Sequence, residues 1–137
     1  MSLRTVLLSI ASALLVVAIL GCDEGRATRA FTVGSIGNVQ HGRELIRGYG
    51  CGACHLIPGV HNARGTVGPP LIYLSERAKI AGELPNTPEN LVRWLQNPKG
   101  LEPKTAMPIL GLSEDQARDI AAYLYTLRGS EGSSWID

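Results

Sequence analysis

The sequence predicts an all-α domain of about four helices with long loops. Three observations carry that expectation. Apolar residues recur at three- and four-residue spacing in four separate stretches, no stretch alternates convincingly in the manner of a strand, and glycine and proline crowd the segments between. A length of 137 residues fits one domain. The chain has a single phenylalanine, and its loops are long for its size. Such a chain has trouble burying enough apolar surface by itself, so something other than its own side chains is expected to fill the middle.

The order of elements begins outside that domain. After Met1-Ser2-Leu3-Arg4-Thr5, residues Val6 to Leu20 carry no charge. These fifteen residues are short for a hydrocarbon core that needs about 20, and with Arg4 before them they suit the apolar region of a secretory signal peptide. Ile19-Leu20-Gly21-Cys22 resembles the lipobox of bacterial lipoproteins, which implies removal of residues 1–21 and lipidation of Cys22; an ordinary signal peptide or an uncleaved anchor helix is the alternative. Asp23 resembles the inner-membrane retention preference of some lipoproteins. Residues 22–37 read as a lipid-anchored flexible tether, residues 38–129 as the folded domain, and residues 130–137 as a C-terminal tail.

Within the domain, a first helix is expected from about Asn38 to Tyr49, with Leu45, Ile46 and Tyr49 on one face and Gly50 ending it. An irregular loop rich in glycine and proline follows, from Ile57 to Pro70. A short helix is expected from Leu71 to about Ala81, with Leu71, Leu74 and Ala78 at helical spacing. Thr87-Pro88-Glu89 opens the next helix with a cap, a proline at the first helical position and an acid at the positive end. Leu91, Val92, Trp94 and Leu95 line it, and Pro98 stops it. From Asn97 to Gly111 the chain is expected to be irregular. Ser113-Glu114-Asp115-Gln116 forms a capping-box pattern for the last helix, lined by Ala117, Ile120, Ala121, Leu124 and Leu127 and ended by Gly129.

Net charge is +1, and removing residues 1–21 takes away only Arg4, leaving 12 basic and 12 acidic residues. A general nucleic-acid binder would need a clear basic excess, so that class is excluded. The signs are nevertheless segregated. Five arginines stand against one acid, Glu44, between Arg26 and Arg64, whereas Glu114, Asp115 and Asp119 open the last helix.

Cys51-Gly52-Ala53-Cys54-His55 carries the chemistry. Two thiols separated by two residues and followed by histidine can hold zinc, exchange disulfides or attach haem. Structural zinc wants four ligands, and only His41, His61 and carboxylates remain to complete a site. Thiol exchange wants the pair at a helix start among strands, whereas here it follows a helix. Cys-x-x-Cys-His is the c-type haem attachment sequence: the thiols add to two vinyl groups on one porphyrin edge, and the next imidazole reaches the iron. Small Gly52 and Ala53 keep the turn close to the macrocycle. Beyond the signal segment there is one methionine, Met107, which fixes the identity of any thioether sixth ligand. Pro108 biases Met107 towards an extended conformation from which its side chain can project out of a loop. His41 and His61 are rivals expected to face solvent. With Cys22 lipidated and Cys51 and Cys54 bonded to haem, none of the three cysteines is left over.

Cys51–His55, Val67-Gly68-Pro69-Pro70-Leu71 and Thr105-Ala106-Met107-Pro108, in that order, are similar to class I cytochromes c. Leu84-Pro85-Asn86-Thr87-Pro88-Glu89-Asn90-Leu91, Arg93-Trp94-Leu95 and Met107-Pro108-x-Leu110-Gly111-Leu112-Ser113 resemble the cytochrome c domains fused to subunit II of caa-type terminal oxidases. The resemblance covers about Val39 to Leu127. It implies one covalent haem c wrapped by the helices, with Cys51 and Cys54 as thioethers, His55 as proximal and Met107 as distal ligand. It also implies that the Pro69 carbonyl accepts the proximal imidazole N–H, that Arg77 and Trp94 donate to the haem propionates, and that Gly42 and Tyr123 meet where the first and last helices cross. No copper-binding oxidase portion precedes the haem domain in these residues, so the electron-carrying role is what is expected to carry over. The resemblance thus points to an electron carrier, not an enzyme, on the periplasmic face of the bacterial inner membrane. Its donor is expected to be a quinol-oxidising complex and its acceptor a terminal oxidase or reaction centre. A fixed haem subunit of a larger oxidoreductase and a ligand-binding haem sensor are the alternatives.

Overall fold

The computed structural model describes residues 35–128. The expected signal peptide, Cys22 and most of the tether lie outside the described residues, as do Gly129 and the tail.

Helix α1 spans Val39–Gly48. Asn38 caps it, its Oδ1 accepting the His41 backbone N–H at 3.0 Å, and Tyr49 closes it. Gly50 then takes a left-handed φ of 71°, which turns the chain directly into a 3-10 turn at Cys51–Ala53. Helix α2 spans Pro88–Gln96, with Thr87 Oγ1 accepting the Asn90 N–H at 3.3 Å. Pro98 ends α2 but also occupies the first position of a four-residue helix α3, Pro98–Leu101, capped by Asn97. The stretch after Asn97, expected to be irregular, therefore starts with one helical turn, because a proline unfit for a helix interior suits its first position. Helix α4 spans Glu114–Tyr125 and carries the full capping box: Gln116 N–H donates to Ser113 Oγ at 3.2 Å, and Ser113 N–H to Gln116 Oε1 at 3.0 Å.

The helix expected over residues 71–81 does not form. In its place stand a 3-10 turn at Leu74–Glu76 and a hairpin of two-residue strands, β1 Lys79–Ile80 and β2 Leu84–Pro85. The strands are antiparallel, with Lys79 opposite Pro85 and Ile80 opposite Leu84. Two causes are visible. Tyr73 and Ala81 sit at φ 57° and 50°, outside the helical region. Asn86 Nδ2 donates to Leu74 O at 2.7 Å and Arg77 O at 2.9 Å, occupying carbonyls that a helix would have bonded four residues on.

Ile46 of α1, Leu91, Val92 and Leu95 of α2, and Ala117, Ile120, Ala121 and Leu124 of α4 form one buried core, which Leu127 joins. Full burial of a side chain such as Ile46 or Ile120 contributes about 1.5–3 kcal/mol. Helix α1 crosses α4 at Gly42, where an added Cβ would lie 2.5 Å from the Asp119 carbonyl carbon and 3.0 Å from Ile120 N. Helix α1 thus closes on α4 at Asp119 and Ile120, and Tyr123, one turn further along α4, donates its hydroxyl to Pro58 O at 2.7 Å. The packed domain begins slightly before residue 38. Ile36 is buried, and Asn38 N–H donates to Asp119 Oδ1 at 2.7 Å. Among the described residues, no helix is long and apolar enough to cross a membrane. This all-α, roughly four-helix arrangement matches the expected architecture.

Candidate functional site

Helix α1 and Gly50 deliver the chain to the site. The backbone N–H groups of Cys54 and His55 both donate to Cys51 O, at 3.2 and 3.0 Å, which winds the two thiols and the imidazole into a single turn. Gly52 has a neighbour other than the one expected of it. A methyl there would lie 2.6 Å from Ala63 Cα, so the missing side chain lets the following loop fold back against the turn. That loop is closed by a bridge between Leu56 and Arg64 and held by Gly65 N–H on Gly52 O at 3.0 Å.

His55 is half-buried, and its Nδ1–H donates to Pro69 O at 2.7 Å. Committing Nδ1 as donor leaves the Nε2 lone pair free for a metal. Gly68 lies against the ring: a Cβ on it would overlap Cε1 and stand 2.6 Å from Nδ1 and 2.9 Å from Nε2. Its own N–H donates to Cys54 O at 2.8 Å, which ties the 67–70 segment to the turn. The role of Gly68 comes from the fold, and a glycine just before paired prolines is its local signal in the sequence.

The other expected site residues stand as follows. Arg77 Nη2 donates to Pro70 O and, at 3.3 Å, to Ile72 O, so the guanidinium clamps the segment immediately after Pro69. Trp94 is half-buried on α2 against the core, and its indole N–H has no partner among the described residues. Met107 is half-buried in the loop between α3 and α4, packed on the same core, with its backbone N–H donating to Thr105 Oγ1 at 3.2 Å. Cys51, Leu71, Trp94, Met107 and Leu110 thus bring half-buried apolar side chains to one core from four parts of the chain. Of the rival histidines, His41 is exposed and pairs with Asp119 Oδ2 at 2.7 Å, and His61 is exposed.

This arrangement separates the three chemistries open to Cys-x-x-Cys-His. Among the described residues, no three His, Cys, Asp or Glu side chains are grouped to hold a metal ion, so zinc lacks its ligand set. Cys51 and Cys54 are not joined in a disulfide. Burial raises the Cys51 pKa above its ordinary value, its backbone hydrogen bond only partly offsets this, and the charge of Cys54 raises it further. A thiol activated for exchange is shifted the other way. Two thiols and an imidazole on one turn, with a glycine cradle beneath the ring, fit covalent haem.

Fold and site together define a c-type haem attachment domain of class I architecture. The chain matches the family model described as Cytochrome c over residues 39–128, and it belongs to that family. Two curated relatives are similar over stretches of comparable length. Cytochrome c oxidase subunit 2 of Alkalihalophilus pseudofirmus is 34% identical over 93 residues, covering 67% of this chain and 26% of the relative. Cytochrome c oxidase subunit 2 of Bacillus sp. strain PS3 is 32% identical over 89 residues, covering 62% of this chain and 25% of the relative. The chain spans about a quarter of the length of these curated relatives. No solved structure matches it significantly.

Proposed function

We propose that the chain is a monohaem cytochrome that carries single electrons between membrane complexes. Cys51 and Cys54 would hold the haem as thioethers, and His55 through Nε2 and Met107 through its thioether sulfur would be the residues that hold the iron. When bound, the haem supplies one-electron exchange between ferrous and ferric iron. The chain's own residues set the terms of that exchange. Pro69 O fixes the plane of the His55 ring and raises its basicity, and Gly68 seats it. Methionine as second ligand favours the reduced state. With both His55 and Met107 holding the iron, no position would remain for a substrate, which favours a carrier over an enzyme or a ligand-binding sensor. Arg77 and Trp94 are assigned to the propionates, with the Trp94 N–H unengaged and Arg77 also serving the Pro70 carbonyl. The observation that carries the reading is the His55–Pro69 hydrogen bond directly behind the paired thiols.

The lipobox-like Ile19–Cys22 supports lipidation at Cys22 on the periplasmic face of the inner membrane; the proposed donor is a quinol-oxidising complex and the proposed acceptor a terminal oxidase or reaction centre. The similarity to caa-type domains, together with the names of the curated relatives, favours one second reading, a fixed haem subunit of an oxidase-like complex. The ligand assignment is tested with the purified ferric protein. It is expected to show the weak sulfur-to-iron charge-transfer band at the red end of the spectrum, and Met107→Ala is expected to abolish it. An unchanged spectrum in the variant removes Met107 from the iron.

A further inference from the structure

A groove of about 270 Å³ runs between α1 and the loop after the haem-attachment turn, lined by Gln40, Arg43, Glu44, Arg47, Val60 and His61. The four α1 residues are spaced i, i+3, i+4, i+7, so they form a single exposed stripe. Its charge is not neutralised from within. Glu44 accepts from Gln40 Nε2 at 3.0 Å and pairs with neither arginine. Arg43 donates Nε–H to Gly59 O at 2.6 Å, which fixes the guanidinium at the groove, and among the described residues its terminal N–H groups have no partner. The Arg47 side chain has no hydrogen bond or ion pair among the described residues. Lys79 and Arg118, by contrast, each pair with an acid four residues away.

We propose that this groove docks the domain onto anionic phospholipid headgroups. Two guanidiniums beside an imidazole match phosphate oxygens, which planar guanidinium forks engage in bidentate fashion. Position in the chain selects the lipid surface over an acidic protein. Among the described residues α1 is the first helix, and the stretch that separates it in sequence from the apolar run ending at Leu20 carries Arg26 and Arg29. Its eighteen residues span at most roughly 60 Å, which keeps α1 within reach of the membrane. Basic residues gathered beside an anchor are drawn to anionic lipid, each by about five-fold in affinity. The proposal goes beyond electron carriage and rests on the anchor reading only for proximity.

The test uses full-length holoprotein with nanodiscs of phosphatidylcholine alone or mixed with phosphatidylglycerol, and reads arginine modification by phenylglyoxal residue by residue in a mass spectrometer. Arg43 and Arg47 are expected to react about five-fold more slowly on the anionic discs than on the neutral ones. Arg93 and Arg118 serve as internal controls and are expected to be unchanged. Salt at about 0.5 M is expected to remove the protection. Retention on neutral discs reports the anchor separately: its loss sinks the anchor reading, while the anionic arm still decides the groove. The R43Q/R47Q protein is expected to bind neutral discs as before and to lose most of the gain from phosphatidylglycerol. Equal modification of Arg43 and Arg47 on both discs overturns the proposal. Protection by dissolved inorganic phosphate or by an acidic protein, but not by anionic discs, overturns it as well.

Discussion

At His55 the neighbours fix the chemistry. The ring can present Nε2 because Nδ1–H is held by Pro69 O, and it can lie where it does because Gly68 has no side chain. Gly68→Ala places a methyl inside contact distance of three ring atoms, and the flanking Cys54–Gly68 and His55–Pro69 bonds leave little room to yield. The expected outcome is a loss of about 1–3 kcal/mol of stability, as for an overpacked core. A weakened proximal bond, visible as a changed haem absorption spectrum, is expected with it. Thermal denaturation and absorbance on the same sample check both; a fully native spectrum with a native melting temperature would show that Gly68 does not seat the ring. The paired thiols and His55 were legible because all three are adjacent in sequence. Gly68 was not, since its role depends on a ring 13 residues away, placed there by the fold.

At the scale of elements, helix ends were legible and one helix was not, for a single physical reason. Asn38, Thr87 and Ser113 cap their own helices through side-chain oxygens that reach only three residues along, so the local sequence contains the whole interaction. The segment after Leu71 was misread because the group deciding it, the Asn86 amide, arrives from 9 and 12 residues away. Helix α1 offers a comparison between two glycines in one element. At Gly48 nothing lies within 4 Å of an added Cβ, so Gly48→Ala is expected to stabilise by roughly 0.5–1 kcal/mol through helix propensity alone. At Gly42 the same methyl meets the backbone of Asp119 and Ile120, which no rotamer change can relieve. Gly42→Ala is therefore expected to force α1 away from α4 and to cost about 3 kcal/mol or more. Urea denaturation of the two variants checks the opposite signs, and equal shifts would mean that the crossing is not set by backbone contact.

For the whole molecule, side chains from distant elements hold the loops in place. Tyr123 of α4 donates to Pro58 O and Arg43 of α1 to the adjacent Gly59 O, so two helices grip one corner of the loop beyond His55. Tyr125, also on α4, donates to Asn86 Oδ1 at 2.8 Å, and Asn86 in turn holds the turn at Leu74–Glu76 and the Arg77 carbonyl. These hydrogen bonds were not legible in the sequence, since each joins residues far apart along the chain, Tyr123 and Pro58 by 65 residues. These links carry a pH dependence whose sign follows from burial. Burial, then the charge of Glu89, pushes the Tyr125 phenol from 10.0 up to about 12. Burial likewise raises Tyr123, with Arg43 pulling the other way. A phenol raised in the folded state gives its full contribution below the unfolded value near 10. Between about 10 and 12 the folded chain retains a proton that the unfolded chain has released, so stability falls with rising pH until the folded phenol ionises. Tyr125→Phe is expected to lose about 1 kcal/mol near neutrality from the missing hydroxyl bond and to flatten the alkaline decline. Far-ultraviolet circular dichroism is the suitable readout in urea titrations across that range, because it follows the helices whatever happens at the iron. An alkaline slope as steep in the phenylalanine variant as in the parent would remove Tyr125 as its source.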